Sequence, residues 1–450
     1  MVRVPEHERL VLDNGATLIL LPRREVPLLA CQALLRGGSA VDPPAPPGVA
    51  SLVAALLEKG AGARDAYAFA ETVEGAGGSF TAAAAPEAIT VRSQFLARDQ
   101  GLMLELLSDT LRAPRLEERE FEHLRERQIE LIKAVKDSEP AELIDAYGRA
   151  MVFAGHPYAR PVHGSEFSLN QITHADACNY YRAHFGADRL IVVLAGDLDI
   201  DRAEQAVRAA FASWPPAVGR APLAQPVPST GRRVLLVDAP GAAQSHFWIG
   251  TGGVDRKYPR RAALDLVNTL FGGRFTSLLN AELRIKSGLS YGARSGFVRG
   301  SVAGEFSIRS FVETASTARA IRLALQALER LHSDGVSAEM LASARAYTLG
   351  QYALGLETAA DWAAALADIE FFGLGTGYID DYPAALAEVD PNAARAVIAE
   401  VFPTPDQMTL VVIGDAAHIG GQLAEFGPVV PMRLTDPDFV PGAAGDDAPP

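Results

Sequence analysis

The residues best suited to metal or nucleophilic chemistry are few and scattered along this chain of 450 residues. Of the nine histidines, the closest two are His156 and His163, seven positions apart among proline and glycine residues typical of a loop. The segment 123–127, His-Leu-Arg-Glu-Arg, has arginine where an i, i+4 metal pair needs a second histidine. Cys31 and Cys178 are far apart and form no Cys-x-x-Cys pattern. The chain's own residues therefore predict neither a metal site nor a disulfide framework.

Gly75, Gly77 and Gly78 could belong to a phosphate-binding loop, another site that spacing can reveal. No buried strand precedes these glycines, and no Lys-Ser or Lys-Thr pair follows them. A phosphate loop needs both features, because the loop joins a strand to a helix and its lysine faces the phosphates. The glycines instead predict a turn into a strand over residues 79–95.

Composition limits the classes of function. Apolar residues make up 48% and charged residues 21%, which is typical of a globular chain of two or three domains. The 41 Lys and Arg against 55 Asp and Glu give a net charge of −14, which would repel nucleic acid and could attract basic peptides. No apolar run approaches the about 18 residues that cross a bilayer, so no membrane span is expected. The first residues lack a secretory apolar core, so we expect a cytoplasmic chain, or a periplasmic one if a signal was removed.

The local patterns mix strands and helices without the regular alternation of a doubly wound sheet. Asn14-Gly15 lies between the apolar runs 9–12 and 16–21 and predicts an antiparallel hairpin, because Asn-Gly supplies the positive φ angles of a tight turn. Residues 88–95 alternate with period two, as in a half-solvated strand. Apolar residues at three- and four-residue steps predict amphipathic helices over 101–111, 116–136 and 141–152. The predicted class is α+β, with helices packed on one face of a largely antiparallel sheet.

An internal repeat indicates two copies of one domain. Phe185 followed by the apolar run and Gly-Asp of 190–197 is repeated by Phe402 and 408–415, an offset of 217 to 218 residues. Upstream, a strand ending in Gly37-Gly38 leads to a helix closed by Gly60. In the second half, a strand ending at 252–253 leads to a helix closed at 272–273. Ordered agreement at both ends of the copy favours duplication over chance.

The predicted boundary between the copies is rich in proline. Residues 214–230 contain five prolines, which disfavour helix and predict an extended spacer. We therefore expect an N-terminal domain over 1–214, a linker over 215–231 and a C-terminal domain over 232–430. Residues 431–450 have five prolines and no periodicity, and predict a surface tail.

Three segments together resemble one family of proteins. Residues 48–60, GVASLVAALLEKG, resemble the zinc-binding helix of the insulinase/pitrilysin metallopeptidases, which include the mitochondrial processing peptidase. Residues 153–164 are similar to a structural signature of that family's N-terminal domain. Residues 271–284 with 288–292 are similar to the substrate-contacting segment of its C-terminal domain. The resemblance spans residues 8 to 425 and implies two homologous α+β domains.

The resemblance also shows what this chain has lost. The family's helix carries His-x-x-Glu-His, in which two histidines bind zinc and the Glu acts as general base, while a third ligand, a Glu, comes from a later helix. The matching positions here are Ser51, Ala54 and Ala55. The later helix offers Leu131 and Ile132. These side chains cannot supply the ligands or the base, so we expect no zinc to be bound by this chain.

The C-terminal segment, unlike the N-terminal helix, matches the functional residues of the family. The family places an Arg and, seven residues later, a Tyr where they bind peptide carbonyls and the developing oxyanion at a zinc site in another domain or subunit. Arg284 and Tyr291 match both identity and spacing. A guanidinium offers fixed donors to a carbonyl, and a phenol can strengthen its hydrogen bond as charge develops on oxygen. Leu278 and Ile285 depart from the family's Arg and acidic residue, so charge pairing around the loop is expected to differ.

The resemblance therefore implies a zinc-less subunit of a bacterial heterodimeric metallopeptidase, inactive alone. A homologous partner with an intact His-x-x-Glu-His helix would supply zinc and base, and Arg284 and Tyr291 would contact the substrate. Peptides or unfolded segments would pair with a sheet edge, a mode with broad specificity.

A purely structural subunit, similar to the core proteins of the respiratory cytochrome bc complex, is the alternative that the sequence leaves open. Both functions share the lost zinc site and differ in whether Arg284 and Tyr291 are used. An independently active peptidase with unrecognised ligands is a third hypothesis, disfavoured by the missing chemistry.

Overall fold

The computed structural model describes residues 2–43, 46–218, 223–227 and 231–441. The strands are β1 Glu8–Val11, β2 Thr17–Pro22, β3 Leu28–Arg36, β4 Gly60–Ala61, β5 Arg64–Asp65, β6 Ser79–Ala84, β7 Ala88–Leu96, β8 Leu190–Gly196, β9 Arg233–Asp238, β10 Gln244–Gly253, β11 Ala293–Arg299, β12 Gly304–Glu313, β13 Thr409–Gly414 and β14 Val429–Arg433.

The helices include several of one or two turns. They are α1 Val49–Leu56, α2 Ala66–Gly75, α3 Gln100–Arg112, α4 Glu118–Ser138, α5 Ile144–Val152, α6 Glu166–Leu169, α7 His174–His184, α8 Ile200–Phe211, α9 Arg261–Asn268, α10 Leu278–Asn280, α11 Thr317–Asp334, α12 Ala338–Leu354, α13 Ala359–Phe372, α14 Gly377–Asp380, α15 Tyr382–Glu388, α16 Pro391–Val401 and α17 Ala416–Leu423. No helix in the described part of the chain is both long enough and apolar enough to traverse a bilayer.

The first sheet has six strands in the order β1-β2-β8-β3-β7-β6. The predicted hairpin is present: β1 pairs antiparallel with β2, and Gly15 has φ +91°. Only β2 and β8 pair in parallel within this sheet. The predicted α+β class and largely antiparallel pairing are confirmed.

The second sheet repeats this plan, in the order β11-β12-β10-β13-β9-β14. β12, β10 and β13 take the places of β7, β3 and β8, and β9 pairs in parallel with β13 as β2 does with β8. The outermost strand differs, because β14 runs parallel to β9, whereas β1 runs antiparallel to β2. Strand β14 extends into the segment 431–450 that the sequence analysis describes as a tail, and residues 442–450 lie outside the described part.

The described chain divides into two compact units, each built from three segments. Unit 1 contains the residues up to Leu131 together with 160–223 and 353–380, and unit 2 contains 132–159, 224–352 and the residues from Asp381 onward. Part of the expected linker, residues 219–222 and 228–230, lies outside the described residues.

Each sheet has a covering helix that is distant in sequence. In unit 1, α13 packs on β3 and β8, whose residues are buried at consecutive positions. In unit 2, α5 packs on β10 and β13. Gly148 permits this contact, because a Cβ there would lie 2.6 Å from the buried indole of Trp248. The centre of each sheet is therefore covered by a segment from the other half of the sequence.

Candidate functional site

Helix α1, which carries the positions of the family's zinc motif, begins at an internal cap. The Asp42 carboxylate accepts hydrogen bonds from the backbone N–H of Gly48 and of Ala50, each at 2.9 Å. These N–H groups have no partner within the helix, so the carboxylate satisfies them. Burial raises the pKa of Asp42 to about 7, against the opposing effect of these hydrogen bonds. The start of α1 is thus fixed by groups of unit 1 itself.

The four positions of the lost zinc site carry almost no donor atoms. Ser51 lies partly buried in the first turn of α1, Ala54 is buried, and Ala55 follows it. Leu131 lies on α4 with 46% of its surface exposed. Zinc takes at least three nitrogen, sulfur or carboxylate ligands from a protein, and these positions supply one hydroxyl. Among the described residues, no group of three or more His, Cys, Asp and Glu side chains could hold a metal ion. The residues present do not fit catalytic zinc.

Ser51 instead contacts a histidine that spacing alone did not connect to it. Its Oγ lies 2.9 Å from Nδ1 of His163, and partial burial lowers the pKa of this imidazole. The loop can approach α1 because Gly48 and Gly164 both have positive φ, and a Cβ on Gly48 would lie 2.9 Å from the Cα of Gly164. The signal available in the sequence was a pair of glycines: Gly48 lies just before Ser51, and Gly164 directly follows His163. One imidazole bonded to one hydroxyl remains short of a zinc site.

The edge of the first sheet is partly occupied. Ala85 N–H donates to the carbonyl of Ala88, so in the alternating pattern of an antiparallel pair Ala82 points its N–H away from β7. Oε1 of Glu58, which follows α1, accepts a hydrogen bond from this N–H at 2.6 Å. One of the backbone donors that an added strand would use is therefore already bonded.

The segment with Arg284 and Tyr291 lies in unit 2, and its backbone leaves ordinary helix geometry. Ala281–Lys286 forms a π-helical turn, a feature that is frequent at functional sites. The Nη1 of Arg284 donates to the carbonyl oxygen of Tyr291 at 2.8 Å, and its Cζ lies 4.4 Å from the ring centre of Phe275. The structure thus brings the two predicted residues together through the Tyr291 backbone, while 78% of the Tyr291 surface is exposed.

Hydrogen bonds within unit 2 hold this loop in place. Ser310 Oγ donates to Ser290 Oγ at 2.9 Å, and Ser290 Oγ donates to the carbonyl of Gly292 at the same distance. Asn280 Oδ1 accepts from the N–H of Ala293, where β11 begins. Tyr291 therefore projects from a loop whose two ends are anchored.

Charge pairing in the segment differs from the family pattern. Ile285, at the position of the family's acidic residue, is 67% exposed. Glu282 pairs instead with Lys286 at 2.6 Å and with Arg330 at 3.1 Å. No acidic side chain among the described residues lies within ion-pair distance of Arg284, so its positive charge is uncompensated. Sequence reasoning missed Phe275, an aromatic residue 58% exposed beneath this guanidinium; its aromatic type next to Arg274 was the available signal.

Family models match two consecutive stretches of this chain. Insulinase (Peptidase family M16) matches residues 28–166, and Peptidase M16 inactive domain matches residues 171–347. The chain belongs to the insulinase family, peptidase family M16. The resemblance drawn from the sequence motifs is confirmed. The assignment of Ser51, Ala55 and Leu131 to the ligand positions, and of Ala54 to the position of the general base, stays a prediction.

Individual relatives agree with the family models. An uncharacterised zinc protease of Streptomyces coelicolor is 27% identical over 372 residues, which are 81% of this chain and 80% of that protein. The beta subunit of the mitochondrial-processing peptidase of Lentinula edodes is 24% identical over 294 residues, 64% of this chain and 62% of that protein. The crystal structure of a peptidase M16 inactive domain from Pseudomonas fluorescens superposes with a TM-score of 0.84 at 24% identity, covering 91% of this chain and 98% of that one. This likeness shows the two-domain fold.

Proposed function

We propose that this chain is the zinc-less subunit of a heterodimeric metallopeptidase, with 1–214 and 232–430 as its domains and 215–231 as the linker. A homologous partner with an intact His-x-x-Glu-His helix would supply zinc and general base. Arg284 and Tyr291 would bind the peptide and its transition state. The observation that carries the proposal is an exposed loop with Arg284 and Tyr291, in which the guanidinium is uncompensated, in a chain whose described residues hold no group of zinc ligands.

The chemistry of the loop supports this role. One N–H of Arg284 is used on the Tyr291 carbonyl, which leaves the other donors of the guanidinium for a substrate carbonyl. The phenol of Tyr291 can donate to an oxygen on which negative charge develops, and such donors are worth about 10²- to 10³-fold in rate. Phe275 supports the flat face of the guanidinium and limits its rotation.

The substrate class follows from the remaining surface. Peptides or unfolded segments would add to a sheet edge through backbone hydrogen bonds, which tolerate many sequences. The net charge of −14 would favour basic segments. The proposed compartment is the cytoplasm for the chain as written, and the periplasm if a signal is removed; fractionation of cells would decide between them.

The test requires the partner. The chain is mixed with a homologous chain that carries His-x-x-Glu-His, and cleavage of a fluorogenic peptide is measured for each chain and for the pair. We expect cleavage by the pair alone, a decrease of about 100-fold for Arg284→Ala and about tenfold or more for Tyr291→Phe. Arg319→Ala, which removes an exposed arginine on α11, is the matched control and should leave turnover unchanged.

A structural subunit, like the core proteins of respiratory complexes, is the competing function. A pair that forms and cleaves, but is unaffected by Arg284→Ala and Tyr291→Phe, would support that alternative. Chelator-sensitive cleavage by this chain alone would contradict both functions.

A further inference from the structure

Helix α5 covers only part of one face of the second sheet. Residues directly opposite on paired strands share a face, and the register places Arg294 opposite Arg309 and Arg309 opposite Trp248. Gly148 of α5 lies on Trp248 and covers that part of the face. Beyond the first residues of α5 the face is open, and a cavity of about 690 Å³ lies there, entirely within unit 2. This volume is within the range of small-molecule sites.

The sheet wall of the cavity carries one unmatched positive charge. Like charges directly opposite on neighbouring strands destabilise a sheet. Arg309 is compensated, because its Nη1 lies 2.6 Å from Asp145 and its Nη2 lies 3.7 Å from the buried Glu305. The side chain of Arg294 has no ion-pair or hydrogen-bond partner in the described part of the chain. An anionic group placed beside Arg294 would relieve its repulsion with Arg309.

The helix wall carries the opposite charge. Glu142 and Asp145 lie just before and within the first turn of α5, and both line the cavity. The carboxylate of Glu142 is exposed and has no partner among the residues that the structure describes. Asp145 uses one oxygen on Arg309, while its Oδ1 is buried without a hydrogen-bond partner. This wall therefore favours a cationic group.

Aromatic rings lie on the sheet face between the two charged walls. Phe311 is two residues from Arg309 and thus on the same face, and His246 is its partner in the register. Their ring centres lie 5.8 Å apart with a 31° tilt. Burial lowers the pKa of His246, so its ring is neutral near pH 7 and presents a largely apolar surface.

We propose that this cavity binds a zwitterionic amino acid or short peptide with an apolar side chain. The ligand carboxylate bonds to Arg294, its ammonium group lies beside Glu142 in the negative field of Asp145, and its side chain packs on Phe311 and His246. Binding requires only unit 2, so it stands apart from the proposed peptidase partnership.

The test uses the full chain and the dipeptide alanyl-phenylalanine in isothermal titration calorimetry. We expect saturable binding that weakens about tenfold or more in Arg294→Ala and several-fold in Glu142→Gln, since hydrogen bonds between charged groups are the strong ones. The C-terminal amide of the dipeptide should bind weakly to the wild type and be insensitive to Arg294→Ala. The N-acetyl dipeptide has no ammonium group, so its affinity should be the same for the wild type and for Glu142→Gln.

Controls separate this site from unspecific charge effects. Arg319→Ala and Glu339→Gln remove exposed charges on α11 and α12 that have no ion-pair partner among the described residues, and both variants should bind the dipeptide like the wild type. Equal thermal midpoints without ligand would verify that the variants fold. Absence of saturable binding at millimolar dipeptide, or equal affinity for acid and amide, would overturn the proposal.

Discussion

Two regions of the molecule differ in whether their polar side chains are already bonded. One is the start of α1 in unit 1, and the other is the loop of Arg284 and Tyr291 in unit 2. Around α1, each polar side chain that was described is bonded within unit 1: Asp42 to backbone N–H groups, Ser51 to His163, and Glu58 to Ala82. A group that is already bonded must lose that bond before it can act on another molecule, which is costly when it is buried.

The loop of Arg284 and Tyr291 in unit 2 has side chains that are not fully bonded within the unit. Tyr291 and Phe275 are exposed, and the charges of Arg284 and Arg294 have no acidic partner among the described residues. This part of the fold tolerates exposed aromatic and uncompensated groups that a purely structural surface has no need for. The polar groups around α1 are therefore satisfied within unit 1, whereas the groups of unit 2 named here can still bond to another molecule, as the proposed function requires.

The largest expected effect concerns the packed core of unit 2, where, unlike at the exposed loop, we expect added volume to destabilise the fold. Gly148→Ala would place a methyl group 2.6 Å from Trp248, and we expect the free energy of unfolding to fall by about 3 kcal/mol. Gly350→Ala is the same change in α12 with no atom near the new methyl, and it should raise stability by about 0.5–1 kcal/mol. Urea denaturation measures both, and equal effects would contradict the packing of α5 on β10.

The next effect tests the internal closure of unit 1. Asp42→Ala leaves the N–H groups of Gly48 and Ala50 without an acceptor in a buried place, and we expect a loss of about 2 kcal/mol. Asp65→Ala removes the exposed cap of α2, which accepts from Ala68, and should cost about 1 kcal/mol. Chemical denaturation of both variants makes the comparison. If Asp42→Ala lowers the free energy of unfolding less than Asp65→Ala does, the buried Asp42 carboxylate does not stabilise the start of α1.

A smaller effect depends on pH. Burial, together with Arg189, lowers the pKa of His184 to about 4, and Nη1 of Arg189 donates to its Nδ1 at 3.0 Å. Between about pH 6.5, the ordinary histidine pKa, and about pH 4, this histidine is protonated in the unfolded chain but not in the folded one. The free energy of unfolding therefore falls as the pH decreases through this range.

His184→Gln keeps an acceptor and removes the titration. Because the ring is only half-buried, we expect the variant to gain about 1 kcal/mol relative to the wild type between pH 7 and about pH 5. Unfolding free energies measured at both pH values test this. A difference independent of pH would contradict it.

The smallest effects belong to the loop and to metal. Tyr291→Phe should change the free energy of unfolding by less than about 0.5 kcal/mol, because its side chain is exposed. Thermal unfolding of the purified variant measures this. A clear loss of stability would assign Tyr291 a structural role and weaken the contrast between the two regions.

Zinc or a chelator should leave the thermal midpoint of this chain unchanged, because a ligand stabilises a fold only when the native state binds it. Differential scanning calorimetry with and without each additive tests this expectation. A midpoint that rises with zinc would contradict it and show that the folded chain holds zinc ligands beyond the Ser51–His163 pair.

Much of the fold follows from local patterns in the sequence. The Asn14-Gly15 turn requires positive φ and specifies its hairpin, and the apolar runs 190–195 and 408–413 correspond to β8 and β13. Apolar periodicity predicted α3 and α4 within a few residues of their ends. These elements are predictable because their patterns depend on neighbours in the sequence.

The unpredicted features depend on residues distant in sequence. Ser51 and His163 are 112 positions apart, and no periodicity connects them. The family resemblance implied a common site for Arg284 and Tyr291. The structure places Nη1 of Arg284 2.8 Å from the carbonyl oxygen of Tyr291, and the role of both side chains in catalysis stays a prediction. Phe275 was missed because its contact with the Arg284 guanidinium forms only in the folded chain, and its aromatic type beside Arg274 is a weak signal.

The covering helices determine when this protein can fold during its synthesis. Unit 1 needs α13, Ala359–Phe372, to cover β3 and β8, so one face of its sheet stays uncovered on the ribosome until about four fifths of the chain has emerged. Until then, we expect the apolar residues of β3 and β8 to be exposed and open to chaperones. Expression of either half alone should give an aggregating product, whereas co-expressed halves can cover each other's sheets with α13 and α5.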